Sequence, residues 1–298
     1  MIQLPDLTGR RAVVTGANTG LGFVSAASLA RAGADVVVTA RDGTKGTAAL
    51  ERIHREQPEA RLSLAHLDLA DLGSVAAFAG EQLRSGPLDI LMNNAGLMLV
   101  PQRQWTKDGF ELQMGVNHLG HFALTSRLLP LLEQSTSGRV VSLSSLAHRI
   151  TGPLDPRLGS VGSYDALGNY SQSKLACALF GFELDRRLKA AGSSVSSVVA
   201  HPGYCATELF SRQPQPGLVD RLTGAVALVV GSRPQHGVQS QLRAATDANL
   251  HGGELLGPRF LIRGGPVRER PASNARDLAS ASLLWDLSGA VTGAVFDL

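Results

Sequence analysis

The chain has 298 residues, 44% of them hydrophobic and 18% charged, as in an ordinary globular protein that can bury a large core. Its formal net charge of +3 is small, and its densest basic group, Arg263, Arg268 and Arg270, lies in a predicted Gly/Pro loop without interleaved aromatic residues. Composition therefore argues against a nucleic-acid-binding protein.

Two further features bear on localisation. The cysteines, Cys177 and Cys205, form no metal-finger or redox spacing and predict free thiols in a reducing cytoplasm. The first predicted strand follows the N-terminus so closely that we expect neither a signal peptide nor a membrane anchor. The apolar run Leu222–Val230 is too short to span a bilayer.

The first elements form a βαβ unit. A predicted strand, Arg11–Val14, leads through the glycine turn Thr15–Gly22 into a helix, Phe23–Ala32, and then into a second strand, Asp35–Ala40. Glycines in such a turn tolerate positive φ and let a phosphate approach the backbone. The N–H groups at the start of the helix then attract the phosphate. The spacing G-x-x-x-G-x-G favours nucleotide binding over a merely tight turn.

The end of the second strand bears on the choice of cofactor. Arg41 follows this strand directly, and Lys45 lies one helical turn later. An acidic residue here would hydrogen-bond the ribose 2′-hydroxyl of NAD, whereas Arg accommodates a 2′-phosphate. These cations favour NADP over NAD, and the alternative is a solvated helix N-terminus.

The chain continues with alternating helices and strands. The predicted elements are a helix at 44–56, a strand Arg61–Leu67, a helix Ser74–Leu83 and strands Leu88–Met92, Arg139–Ser145 and Val195–Ala200. They are followed by a helix His236–Arg243, a turn and last strand within His251–Pro258, and a helix at 276–287. Asp68 and Asn93–Gly96 follow two of these strands, and parallel strands bring such ends to one ligand crevice. The alternatives are a helix cap for Asp68 and a plain Asn-rich turn.

Several motifs stand in a characteristic order. They are Thr15-Gly-x-x-x-Gly-x-Gly22, Asp68-Leu69, Asn93-Asn-Ala-Gly96, Asn117, Ser145, Tyr170-x-x-x-Lys174, and His201-Pro-Gly203 with Thr207. Over about residues 8–210 the chain resembles the short-chain dehydrogenase/reductase family. Ser144–His148, Leu284-Trp285 and Thr292-Gly293 resemble its retinol-dehydrogenase-like branch.

The resemblance implies an α/β fold: a Rossmann-type, doubly wound parallel sheet with helices on both faces. It implies a single domain over 1–298, with a cofactor-binding and catalytic core at 8–203, a substrate lid at 204–235, and C-terminal helices with the last strand at 236–298. The implied cofactor is NADP(H). The implied contacts are Gly16, Asn18, Thr19, Gly20, Leu21, Gly22, Arg41, Lys45, Asp68, Leu69, Asn94, Ala95, Gly96, Tyr170, Lys174, Pro202, Gly203 and Thr207.

The implied catalytic set is Asn117, Ser145, Tyr170 and Lys174. Carbonyl reduction needs a proton donor, yet the reference pKa of tyrosine is about 10. A nearby ammonium favours the phenolate, and residues at i and i+4 share one helix face. We therefore expect Lys174 to lower the pKa of Tyr170. By analogy, Ser145, rather than Ser142 or Ser144, orients the substrate oxygen, and Asn117 fixes a helix irregularity and a water near Lys174.

Other functions remain as alternatives. His118 and His121 lack the companions of a metal site, so we expect core or surface histidines and no metal. A catalytically silent NADP-binding regulator on the same fold is the main alternative, and nucleotide-sugar chemistry is a remoter one.

The segments 148–169 and 208–235 would cover the substrate. Their composition predicts a bulky, mostly apolar ketone or secondary alcohol. The Ala- and Arg-rich composition is compatible with a bacterial protein, and the helix after Tyr170 with a homo-oligomer.

Overall fold

The computed structural model describes residues 2–203 and 234–298, and the strands in these ranges form a single eight-stranded sheet. The strands are β1 (Arg11–Val14), β2 (Asp35–Ala40), β3 (Leu62–His66), β4 (Ile90–Asn93), β5 (Arg139–Leu143), β6 (Ser196–Ala200), β7 (Leu255–Pro258) and β8 (Pro266–Glu269). Their order is β3-β2-β1-β4-β5-β6-β7-β8, and only β8 runs antiparallel to its neighbour. The order reverses between β1 and β4, which opens a crevice at the carboxyl ends of the strands.

The helices connect the strands in alternation. They are α1 (Gly20–Arg31), α2 (Gly43–Glu56), α3 (Leu72–Gln82), α4 (Leu112–Met114), α5 (Gly120–Glu133), α6 (Ala166–Ala190), α7 (Pro234–Gly237), α8 (Gln239–Thr246) and α9 (Leu278–Thr292). A π-helical turn, Gly115–Leu119, joins α4 to α5, and 3₁₀ turns occupy Leu146–Arg149 and Asn274–Arg276. Every helix in the described ranges is too short or too polar to cross a membrane.

Alternate residues of the strands point to opposite faces of the sheet and bury both of them. Val13 and Val37 pack in one core with side chains of α3, α5 and α6, whereas Val14 and Val38 pack in another with α1 and α8. Strands buried on both faces are expected to be continuously apolar, as the run Val36-Val-Val38 is. The sheet is therefore covered by helices on both faces, which confirms the predicted fold class.

Most predicted elements are present with shifted ends. The first helix starts at Gly20 rather than Phe23, and the C-terminal helix extends to Thr292. The predicted helix His236–Arg243 is two helices that meet near Val238. The third strand is followed by Asp68, but Asp71 caps α3 by accepting hydrogen bonds from Gly73 N and Ser74 N.

One prediction about the strands was wrong. The strand within His251–Pro258 is not the last, because Pro266–Glu269 forms β8 at the sheet edge. Arg268 therefore lies in a strand rather than in a Gly/Pro loop. This segment was missed because an edge strand pairs on one side only and needs no apolar run. The predicted lid at 204–235 lies, up to residue 233, outside the described residues.

Candidate active site

A cavity of about 550 Å³ opens at the carboxyl ends of β1, β2, β4 and β5. Every predicted cofactor contact in the described residues lines it: Gly16, Asn18, Thr19, Gly20, Leu21, Gly22, Arg41, Lys45, Asp68, Leu69, Asn94, Ala95, Gly96, Tyr170, Lys174, Pro202 and Gly203. Ser145 also lines the cavity, whereas Asn117 is buried behind it. Thr207 lies outside the described residues.

Two glycines of the turn at the floor of the cavity, Gly16 and Gly22, have no room for a side chain. A Cβ at Gly22 would lie 2.5 Å from both Gly16 O and Asn94 Nδ2. Gly16 has φ 62°, and a Cβ there would lie 2.9 Å from Ala95 Cβ. The two glycines therefore allow the turn and the Asn94–Gly96 segment to pack closely beneath the cavity.

The Thr15 hydroxyl holds these two segments together. Its oxygen accepts hydrogen bonds from Asn94 N at 2.8 Å and Ala95 N at 2.9 Å, and Thr15 O accepts one from Asn94 Nδ2 at 2.7 Å. Our reading of the sequence missed this role of Thr15. The available signal was a polar residue directly after a buried strand.

His121 extends this network to the π-helical turn. Its Nδ1 lies 3.0 Å from Asn117 O, which can only accept, so Nδ1 carries the proton and Nε2 accepts from Thr15 Oγ1 at 2.9 Å. Complete burial lowers the pKa of His121 to about 4, which is consistent with a neutral ring. His118 is also buried, and its Nε2 lies 2.7 Å from Ser288 Oγ.

Asn117 lies within the π-helical turn Gly115–Leu119, at the predicted helix irregularity. Its side chain donates to Leu97 O at 2.9 Å and to Ser173 Oγ at 2.8 Å, and it accepts from Leu97 N at 2.7 Å. A Cβ at Gly96 would lie 3.1 Å from Asn117 Oδ1 and 3.4 Å from Lys174 Nζ. Asn117 therefore supports the wall of the cavity beside Lys174.

Helix α6 carries Tyr170 and Lys174 one turn apart, and both side chains line the cavity although they are largely buried. Lys174 Nζ donates to Leu143 O at 2.9 Å, and no ion pair involves it in the described ranges. An ammonium has three donors, so two remain for groups in the cavity.

The two serines after β5 differ in their surroundings. Ser144 Oγ is buried and donates to Lys174 O at 2.7 Å. Ser145 is partly exposed on the cavity wall, and within the described ranges its Oγ accepts only a long 3.3 Å hydrogen bond from Ala147 N. Ser145 is thus the serine whose hydroxyl can reach a ligand, whereas Ser144 ties the strand end to α6.

The two ends of the cavity differ in polarity. Arg41, Asp42, Lys45 and Asp68 lie at one end, where Lys45 Nζ is 3.4 Å from Asp42 Oδ2 and Asp42 caps α2. At the other end, around Ser145, Tyr170 and Lys174, the wall carries the apolar side chains of Met98, Leu99, Leu146, Ile150 and Leu167. Lys174 is the one charged side chain on the described wall that lies away from the first group.

Residues 10–216 match the family described as short chain dehydrogenase. The chain belongs to the short-chain dehydrogenase family. Human retinol dehydrogenase 14 is 38% identical over 96% of this chain and 87% of its own length. Mouse polyprenol dehydrogenase is 39% identical over 98% of this chain and 86% of its own length. These relatives confirm the predicted retinol-dehydrogenase-like branch of oxidoreductases.

Solved structures agree with the fold of this short-chain dehydrogenase. An uncharacterized protein of Mycobacterium paratuberculosis is 39% identical, with a TM-score of 0.82 over 99% of this chain and 98% of that one. A provisionally named NAD(P)-dependent gluconate 5-dehydrogenase of Beutenbergia cavernae, solved with NADP at low occupancy, is 25% identical. Its TM-score is 0.65 over 84% of this chain and 95% of that one.

The short-chain dehydrogenase chain also carries a polar cluster beside Pro202 and Gly203. His201 Nε2 lies 3.1 Å from Glu269 Oε1, and Arg149 donates to Glu269 Oε2 at 2.8 Å. Burial opposes ionisation of Glu269, but the hydrogen bonds from His201 and Arg149 and the charge of Arg149 outweigh it and lower the pKa of the carboxyl group. No motif pointed to Glu269, because its partners are 68 and 120 positions away in the sequence.

Proposed function

We propose that the protein is an NADP(H)-dependent oxidoreductase that acts on a bulky, mostly apolar ketone or secondary alcohol. The observation that carries the proposal is that Ser145, Tyr170 and Lys174 line one cavity whose other end has the glycine turn and Arg41. When bound, the nicotinamide supplies or accepts the hydride. The chain's own residues then have to bind the cofactor, orient the substrate and move a proton.

The residues of the cavity fit a dinucleotide. Gly16, Gly20 and Gly22 carry no side chains, so that a diphosphate can approach the backbone at the start of α1. Arg41 and Lys45 at the same end supply a planar fork and a point charge for a 2′-phosphate, which favours NADP over NAD. The two N–H donors of Lys174 Nζ that do not bind Leu143 O match the hydroxyl acceptors of a ribose.

In the reducing direction, the Tyr170 hydroxyl gives its proton to the substrate oxygen while Ser145 donates a hydrogen bond to that oxygen. Lys174 stabilises the resulting phenolate by its charge. Asn117 holds Leu97 and Ser173 behind the site, which keeps the wall beside Lys174 in place. In the oxidising direction Tyr170 takes the proton back.

The apolar wall supports the proposed substrate class. Apart from Ser144, Ser145, Tyr170 and Lys174, the described side chains at this end of the cavity are apolar. Two relatives bear the names of dehydrogenases for retinol and polyprenol, which are apolar alcohols. The cytoplasmic localisation, the bacterial source and the homo-oligomeric state remain predictions from the sequence.

The test is NADPH consumption with a panel of bulky ketones and apolar aldehydes. We expect Tyr170→Phe to lower kcat by roughly 10²- to 10⁴-fold while NADPH still binds, because the variant lacks only the transferable proton. Tyr164→Phe is the matched control, since the Tyr164 hydroxyl donates to Val100 O and lies outside the cavity wall. Unchanged turnover in Tyr170→Phe would place the proton donor elsewhere. NADPH binding without turnover of any substrate would favour the silent regulator.

A further inference from the structure

Glu269 connects two loops that lie far apart in the sequence. Its carboxylate is 8% exposed and lies on β8, at the edge of the sheet. One oxygen contacts His201, which follows β6, and the other contacts Arg149, which ends the 3₁₀ turn that begins after Ser145. A side chain at the sheet edge thus contacts two segments that adjoin the cavity: the one that follows β6 and the 3₁₀ turn after Ser145.

The hydrogen bonds of His201 have a defined direction. Gly203 N donates to His201 Nδ1 at 3.1 Å, so Nδ1 is an acceptor and the ring proton is on Nε2. Nε2 therefore donates to Glu269 Oε1 at 3.1 Å. Glu269 selects the tautomer that accepts the Gly203 N–H, and so fixes the backbone of the Pro202-Gly203 turn.

Two glycines make room for this arrangement. A Cβ at Gly257 on β7 would overlap both Glu269 Oε1 and His201 Nε2. Gly203 has φ 73°, and a Cβ there would lie 2.8 Å from both Pro258 Cγ at the end of β7 and Ile262 O in the loop between β7 and β8. The hairpin formed by β7 and β8 therefore packs directly against the turn that lines the cavity.

We propose that Glu269 is a positioning residue that holds the Pro202-Gly203 turn through His201 and the Ser145–Arg149 turn through Arg149. The inference rests on the proposed function, because it takes Pro202 and Gly203 as the cofactor contacts that the sequence predicts and Ser145 as the donor to the substrate oxygen. Glu269 is not among the described residues that line the cavity. It sets the separation of the two loops between which hydride transfer takes place.

The test compares full-length Glu269→Ala, Glu269→Gln and Arg149→Met by NADPH dissociation constant, ketone KM, kcat and melting temperature. We expect Glu269→Ala to weaken NADPH binding by roughly tenfold or more and to raise the ketone KM, because both turns lose their partner. Glu269→Gln keeps an acceptor for His201 and should restore NADPH affinity to within about threefold of wild type. Arg149→Met should raise the ketone KM and leave NADPH affinity unchanged.

The control is Glu254→Ala, which removes the ion pair of Glu254 with Arg268 in the same hairpin without reaching either turn. We expect wild-type kinetics from it. A lower melting temperature with unchanged kinetic constants in Glu269→Ala, or no rescue by Gln, would overturn the inference. Should the Ala variant fail to fold, the contrast between Glu269→Gln and Arg149→Met decides. A wild-type protein that does not bind NADPH would overturn the proposed function instead.

Discussion

At the scale of single residues, the site depends on side chains that form hydrogen bonds with other groups of the protein. Thr15 accepts two backbone N–H groups and donates to His121, which in turn donates to the Asn117 carbonyl. Asn117 uses its amide on Leu97 and Ser173. These groups are fixed before any ligand enters, so binding does not have to order them.

Arg41 and Lys45 contrast with that network because both side chains are exposed. We expect the double variant Arg41→Ala/Lys45→Ala to raise the KM for NADPH by roughly 10- to 100-fold and to leave the KM for NADH nearly unchanged, since charge-assisted hydrogen bonds to a phosphate are lost. Steady-state kinetics with both cofactors measures the ratio. Arg55→Ala, an exposed cation on the same helix, is the control. Equal losses with NADPH and NADH would contradict selection of the 2′-phosphate.

The sequence predicted which residues line the cavity better than it predicted which residues hold them in place. Tyr170 and Lys174 lie one helical turn apart, so their shared face follows from local spacing alone. His121 and Glu269 act through contacts with Thr15, 106 positions away, and with Arg149, 120 positions away. No local pattern carries such a pairing, because it depends on which strands become neighbours.

At the scale of elements, the glycine turn and its helix are constrained by their neighbours. Parallel strands were predictable from short apolar runs, and the order of the strands was not. Strand β8 escaped prediction because Pro266-Val-Arg-Glu269 has the composition of a loop. Helix ends shifted by a few residues where capping aspartates, such as Asp71, rather than apolar periodicity set the boundary.

Two glycine-to-alanine changes should have opposite effects on stability. Gly80 lies in α3 with no atom within 4 Å of an added Cβ, so Gly80→Ala should stabilise the protein by about 0.5–1 kcal/mol. Gly22→Ala places a methyl group against Gly16 O and should cost about 1–3 kcal/mol and weaken NADPH binding. Urea unfolding of both variants beside wild type gives the free energies. A stabilising Gly22→Ala would mean that the turn is looser than this packing requires.

At the scale of the whole molecule, buried histidines link stability to pH. Burial lowers the pKa of His118 to about 3 and that of His121 and His148 to about 4. In the unfolded chain each titrates near 6.5, so between about pH 6.5 and pH 4 the unfolded state binds protons that the folded state does not. The contribution of these histidines to the free energy of unfolding is therefore fully present above about pH 6.5, and it is lost as the pH decreases through that window.

We expect the free energy of unfolding to fall from pH 7 to pH 5, with a slope near pH 5 of about 1.4 kcal/mol per pH unit for each histidine. Urea titrations at several pH values measure the slope. Glu111, whose pKa is raised by burial, acts weakly in the opposite direction at the acidic end. His118→Gln keeps a partner for Ser288 and should reduce the slope by the contribution of one histidine, about 1.4 kcal/mol per pH unit. A stability that does not change between pH 7 and pH 5 would show that these rings are hydrated.

The thiol of Cys177 has a consequence for how the protein can be followed in solution. Its sulfur donates to Asn117 O at 3.1 Å, burial raises its pKa, and its exposure is 5%. An alkylating reagent can therefore reach it only when α6 separates from the π-helical turn. In a Cys205→Ser chain, the rate of Cys177 alkylation would measure how often these openings occur. Any compound that occupies the cavity and holds the two segments together would lower that rate.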